Sequence, residues 1–216
     1  MSFFLLFISF VSLSFLIFFK RKTTIKKNET TKDRVKQRFL QEQFGGLLLF
    51  DDFAGVHAGR ALDVTSQEMR IVPYCAVFAG GFPCQAKAAC NSNRGANRTC
   101  IQDGTESTGV GFAQVKQYLS SCHPKLVILE NVPTLAGDGE DEFVVAELRG
   151  LGYFTMQVSF DARLYGSVAA RSRIYFIGVL TDPQPDETLA ATVRLEHSRW
   201  MQAMQLGEDI FQVSQK

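Results

Sequence analysis

The chain has 216 residues, 46% of them apolar and 21% charged, with 23 basic against 22 acidic side chains. That length supports one domain with a sizeable core and leaves little room for two. A formal net charge of +1 excludes a wholesale basic nucleic-acid binder, so any contact with DNA or RNA needs a local basic patch.

Residues 1–19 carry no charge and are mostly Phe, Leu, Ile and Val, and Lys20, Arg21 and Lys22 come next. About 20 apolar residues cross a hydrocarbon core, and the basic flank would keep the C-terminal domain in the cytoplasm. The run lacks a basic start and a small-residue cleavage site, so it is a poor cleaved signal peptide. It reads either as a membrane anchor or as translated non-coding sequence. In the second case the protein is nuclear or cytoplasmic. Residues 20–43 are polar and read as a linker, within which Lys32 to Gln43 could be a short helix.

Gly45-Gly46 opens a domain spanning 44–182. Leu47 to Phe50 is a buried strand candidate, Phe53-Ala54-Gly55 the turn after it, and Ala58 to Met69 a helix candidate. The apolar run Ile71 to Ala79 leads into Gly81-Phe82-Pro83-Cys84-Gln85. Residues 86–109 show little periodicity and read as a long loop, a class that is often functional. Gly111 to Ser121 and Glu140 to Gly150 read as helices. Leu126 to Leu129, Tyr153 to Phe160 and Arg173 to Leu180 read as strands. The tail, 183–216, carries Val193, Trp200, Met204 and Phe211 near helical spacing and reads as an amphipathic helix. Alternating strands and helices predict an α/β fold, Rossmann-like, with a mostly parallel sheet and helices on both faces. Ligands of such sheets bind beyond the carboxyl ends of the strands, where Cys84 and Glu130 would both sit.

Four ordered blocks resemble the cytosine-5 DNA methyltransferase family. They are Pro83-Cys84-Gln85; Glu130-Asn131-Val132 after His123-Pro124-Lys125; Asp161 to Gly166; and Arg171-Ser172-Arg173 leading to Gly178. The resemblance covers roughly residues 46–180 and implies a fixed set of roles. Carbon 5 of cytosine accepts a methyl group only after a thiolate has added at carbon 6, so Cys84 would be the nucleophile. Its alternative is a buried structural cysteine. Glu130 would hydrogen-bond or protonate ring nitrogen 3. Arg171 and Arg173 lie two apart on a strand, hence on one face, and the family places such arginines near the target base; a solvated strand edge is the plain alternative. Phe53, Ala54 and Gly55, together with Pro83, would contact the family's cofactor, S-adenosylmethionine.

Departures from the pattern bear on activity. His57 stands where the family's turn has a second glycine, which brings backbone close to the ligand. The interval from Phe53 to Cys84 is short for the family's cofactor half, Ala169 replaces a glutamine, and few residues follow Gly178 for a target-recognition module. The fold is therefore expected to be incomplete relative to the family, and cofactor binding weak. The competing reading is a catalytically inactive relative acting as a binding or scaffold protein. DNA is the expected partner, with RNA a second candidate and the membrane a third through residues 1–19.

Five cysteines, at 75, 84, 90, 100 and 122, are odd in number and irregularly spaced, which suits a reducing compartment. Cys84, Cys90, Cys100 and Cys122 with His123 match no paired zinc spacing, so no metal is expected. Lys87, Arg94 and Arg98 read either as phosphate contacts or as a solvated loop.

Overall fold

A computed structural model of the chain describes residues 15–21, 24–30, 34–43, 48–50, 53–88, 92, 99–165, 168, 170–181, 195, 198 and 202. The strands are β1 (Phe15–Arg21), β2 (Thr24–Thr30), β3 (Leu48–Phe50), β4 (Arg60–Asp63), β5 (Glu68–Ile71), β6 (Val77–Gly81), β7 (Leu126–Asn131), β8 (Tyr153–Asp161) and β9 (Ser172–Leu180). The helices are α1 (Arg34–Gln43), α2 (Phe53–His57), α3 (Glu106–Cys122), α4 (Thr134–Gly137) and α5 (Glu140–Gly150). Among the described residues, nine strands form one sheet in the order β5-β4-β3-β2-β1-β6-β7-β9-β8.

The fold is α/β, and helices cover both faces. Phe50 joins the main core with Phe53 and Phe78, whereas its neighbour Leu49 packs with Leu40 of α1. Successive strand residues point to opposite faces, so α1 lies across the sheet from α2 and α3. The main core is built on an aromatic triad. Phe53, Phe78 and Tyr118 have ring centroids 5.2 to 5.9 Å apart, which fixes α2 and α3 against β6.

The expectation of a mostly parallel sheet is corrected. Among the described residues, only β2–β3 and β6–β7 pair in parallel; the other six pairings are antiparallel. The cause is connection length. A parallel return needs a crossover of about a dozen residues or more, and the links β1–β2, β4–β5 and β8–β9 are too short for one.

The helix expected over Ala58 to Met69 is also overturned, because β4 and β5 form a hairpin there. The Asp63 carboxylate accepts the Thr65 N–H at 3.1 Å and the Ser66 hydroxyl at 2.9 Å. Gln67 then takes a positive φ of 55°. Such side-chain bonds to nearby groups compete with helix formation.

The last residues of the apolar N-terminal run belong to β1, between β2 and β6, rather than to a membrane helix. Periodicity does not separate a buried strand from a buried helix when every position is apolar. Residues 1–14 lie outside the described residues, and among the described residues no helix is long and apolar enough to cross a membrane. The polar stretch read as a linker holds β2 and α1. The expected tail helix lies almost wholly outside the described residues.

For the site, strand direction is what matters. β6 and β7 run parallel, in register from Val77↔Leu126 to Gly81↔Glu130. β3 runs the same way, since it is parallel to β2 and both β2 and β6 are antiparallel to β1. The segments after β3, β6 and β7 therefore leave from one edge.

Candidate active site

Cys84 lies three residues beyond the end of β6, and its approach is fixed by two buried residues. Phe82 packs its ring on Phe112 of α3 with centroids 5.3 Å apart. Pro83 is buried against Gly111, where an added Cβ would stand 2.3 Å from the proline Cδ. Only glycine lets the helix come this close to a rigid ring, so Gly111 sets where the loop leaves the sheet. The loop then turns sharply, the Lys87 N–H donating to the Cys84 carbonyl at 3.0 Å. The thiol is free and half-buried.

Glu130 was expected just past its strand but is the penultimate residue of β7, opposite Gly81. A Cβ on Gly81 would meet Glu130 Oε2 at 2.7 Å, so that glycine is the space in which the carboxylate sits. Arg173, near the start of β9, forms an ion pair with Glu130, its Nε 2.6 Å from Oε1. Arg171 Nη2 lies 3.9 Å from the same oxygen. Asn131 closes the arrangement from behind: its Nδ2 donates to the Phe82 carbonyl at 3.4 Å, and its Oδ1 accepts the Val132 N–H at 2.8 Å. It holds the two strand ends together.

Cys84, Glu130, Arg171 and Arg173 thus converge at one edge. Burial pushes the Cys84 thiol up from its ordinary value, and the Glu130 carboxylate adds to this, while Arg173 and then Arg171 act in the opposite sense. The thiol is held protonated at neutral pH, and Arg173, a backbone hydrogen bond at the thiol and Arg171 favour its ionisation. Tyr175, opposite Glu130 on β9, feels the same three charges, and burial is the main cause of its raised value.

Phe53, Ala54 and Gly55 occupy α2, after β3, at the same edge. The Phe53 ring is buried in the aromatic triad. The inner side of the turn is filled by β4: a Cβ on Gly55 would meet Ala61 Cβ at 3.3 Å and the Arg60 carbonyl at 3.4 Å. Asp63, the buried carboxylate at the end of β4, is already bonded to Thr65 and Ser66 and paired with Arg70 at 3.1 Å. A ring facing the core, a filled turn and an engaged carboxylate do not fit S-adenosylmethionine among the described residues.

Lys87 overturns both readings made for it. It touches neither phosphate nor solvent, being fully buried with Nζ 2.6 Å from Glu140 Oε2 and 3.2 Å from Asp138 Oδ2. A lysine is buried only with partners, and these come from the segment after Glu130. Arg94, Arg98 and Cys90 lie outside the described residues. Among the described residues no cluster of three or more His, Cys, Asp or Glu side chains is arranged to hold a metal. The sequence reading missed the roles of Gly81, Gly111 and Glu140. A glycine doublet closing β6 was the one visible signal.

A family model described as C-5 cytosine-specific DNA methylase matches residues 56–216. The chain is 26% identical over 140 residues to the type II methyltransferase M.NlaX of Neisseria lactamica, covering 60% of this chain and 42% of that protein. It is 30% identical over 134 residues to the type II methyltransferase M.Sau3AI of Staphylococcus aureus, covering 59% of this chain and 31% of that protein. The chain therefore spans less than half the length of these relatives. A crystal structure of a Spodoptera frugiperda DNMT2 mutant aligns with a TM-score of 0.50 at 12% identity, over 72% of this chain and 42% of that one, a likeness of fold.

Proposed function

The chain belongs to the C-5 cytosine-specific DNA methylase family, and we propose that it activates cytosine in DNA through a covalent bond from Cys84. The observation that carries this reading is the meeting of Cys84, Glu130 and Arg173 at the ends of adjacent strands, with Arg173 on Glu130 at 2.6 Å. The Cys84 thiolate adds to carbon 6 of the ring. Negative charge then builds at nitrogen 3, and the Glu130 carboxylate, having taken up the proton that the thiol gave up, donates it to that nitrogen. Arg173 and Arg171 hold the Glu130 carboxylate in place and favour the thiolate. Carbon 5 becomes enamine-like and accepts an electrophile.

Family membership implies S-adenosylmethionine as the methyl donor. We propose that this chain binds it weakly, Phe53, Ala54, Gly55 and Pro83 being the positions the family would use. Calorimetry tests this: a dissociation constant in the low micromolar range would overturn the expectation. Absence of binding would favour a relative that binds DNA without methylating it.

Covalent activation can be tested without the donor. After addition at carbon 6, carbon 5 can take a deuteron from heavy water, lose its own proton and expel the thiolate. Cytosine then carries deuterium at carbon 5, which mass spectrometry of a recovered oligonucleotide detects. The target base must leave the stack, so single-stranded or mismatched cytosines should exchange faster than paired ones. Exchange is expected with the wild-type chain and not with Cys84→Ala. A folded wild-type protein that gives no exchange on any such DNA would sink the proposal.

A further inference from the structure

We infer that Lys87 is a positioning residue that bolts the Cys84 turn to the segment following Glu130 and so sets the spacing between these two groups. The inference rests on the reading of Cys84 as the reactive thiol. Its basis is a set of contacts that all pass through this one side chain and its own backbone. The Lys87 N–H closes the turn on the Cys84 carbonyl at 3.0 Å. Its carbonyl accepts the Thr134 hydroxyl of α4 at 2.5 Å. Its ammonium group reaches Asp138, between α4 and α5, at 3.2 Å and Glu140, at the start of α5, at 2.6 Å. Glu140 also accepts the Ile101 N–H through Oε1 at 2.6 Å, which ties in the turn ahead of α3.

The topology gives these contacts their meaning. Glu130 is followed directly by Asn131, Val132, Pro133 and then α4, so α4 and the start of α5 move with Glu130. Cys84 is followed by Gln85, Ala86 and Lys87, so Lys87 moves with Cys84. Asn131 and the Phe82 carbonyl join the strand ends ahead of the site, and Lys87 joins the segments behind it. The thiol is held from both sides. A lysine and a glutamate that are both fully buried exchange hydration for each other's charge, and such a pair tolerates little displacement before the cost of an unpaired buried charge appears. A neutral side chain would fill the same volume without fixing the turn in this way.

The test is the alkylation rate of Cys84 by iodoacetamide, followed residue by residue by mass spectrometry on the full chain, with Cys75 as internal control. Cys75 is fully buried in the core and should stay unreactive while the fold is intact. In Lys87→Met the rate at Cys84 should rise about tenfold or more, as local opening of an unanchored turn becomes easier, with Cys75 still protected. Lys87→Arg should restore part of the protection. An unchanged Cys84 rate with Cys75 protected overturns the inference. Should Lys87→Met expose Cys75 as well, the decisive variant is Lys87→Met with Glu140→Gln, which leaves no unpaired charge at Glu140; the same two outcomes then decide. The assay needs no substrate or donor. A failure of base activation in the wild type, with Lys87-dependent protection intact, would therefore count against the proposed function alone.

Discussion

Gly81→Ala separates stability from chemistry at this site. The added Cβ would lie 2.7 Å from Glu130 Oε2, whereas such contacts settle near 3.4 Å or more, so the carboxylate must retreat by roughly 0.7 Å. The atom in the way is the end of a flexible side chain, and it yields without moving the backbone. Its retreat disturbs the 2.6 Å ion pair with Arg173. Replacing glycine at the end of a strand gains up to about 0.5–1 kcal/mol. Loosening an ion pair that is about one-third exposed costs about 0–1 kcal/mol. The net change in stability is close to zero. Catalysis should respond differently, because a misplaced charged hydrogen bond costs about 1.5–3 kcal/mol at the step that uses it. That is roughly a ten- to hundredfold loss of rate. The assay is deuterium exchange at carbon 5 alongside thermal melting of the same preparation. A normal melting temperature with exchange reduced at least about tenfold is the expected result. Exchange within twofold of wild type would refute the claim that Gly81 makes room for a working Glu130 carboxylate.

Arg173→Ala should move the pH profile of Cys84 alkylation to higher pH, because a cation that lowers the thiol's value is lost while burial and Glu130 still raise it; a shift to lower pH would contradict the site electrostatics. Gly111→Ala should destabilise the protein by about 1–3 kcal/mol in denaturant titration despite the better helix propensity of alanine, since the new methyl would meet the Pro83 ring at 2.3 Å. Cys75 donates to or accepts from Tyr118 at 2.8 Å, and burial pushes its thiol up to about 12 from an ordinary 9.0. The folded state favours the neutral thiol, so this contribution is complete below pH 9 and is lost as pH rises towards 12. Cys75→Ala should therefore flatten the decline of unfolding free energy over that window by up to about 1.4 kcal/mol per pH unit.

What the sequence disclosed and what it hid divide along the range of the interactions involved. Cys84 and Glu130 were legible because each comes after an apolar run, and strand ends at one edge of an α/β sheet are where reactive groups gather. α5 was legible because a stop at Gly150 and Gly152 bounds its apolar positions. The β4–β5 hairpin was not, since its outcome turns on whether Asp63 bonds to Thr65 and Ser66 or lets them enter a helix, and composition is silent on that competition. The sense of the sheet was misread for a related reason. Alternation of strands and helices suggests crossovers, but the short return between β8 and β9 has no room for one. Lys87 was the furthest out of reach. Its charge reads locally as solvent or phosphate contact, whereas Asp138, 51 positions away, and Glu140 pair with it in the interior. Because neither acid has a local reason to be near a lysine, the ion cluster exists only once β6 and β7 have paired and carried the two segments together. The same pairing brings Glu130 beside Cys84. The order of the turn and the geometry of the reactive pair are thus set by one event in the fold.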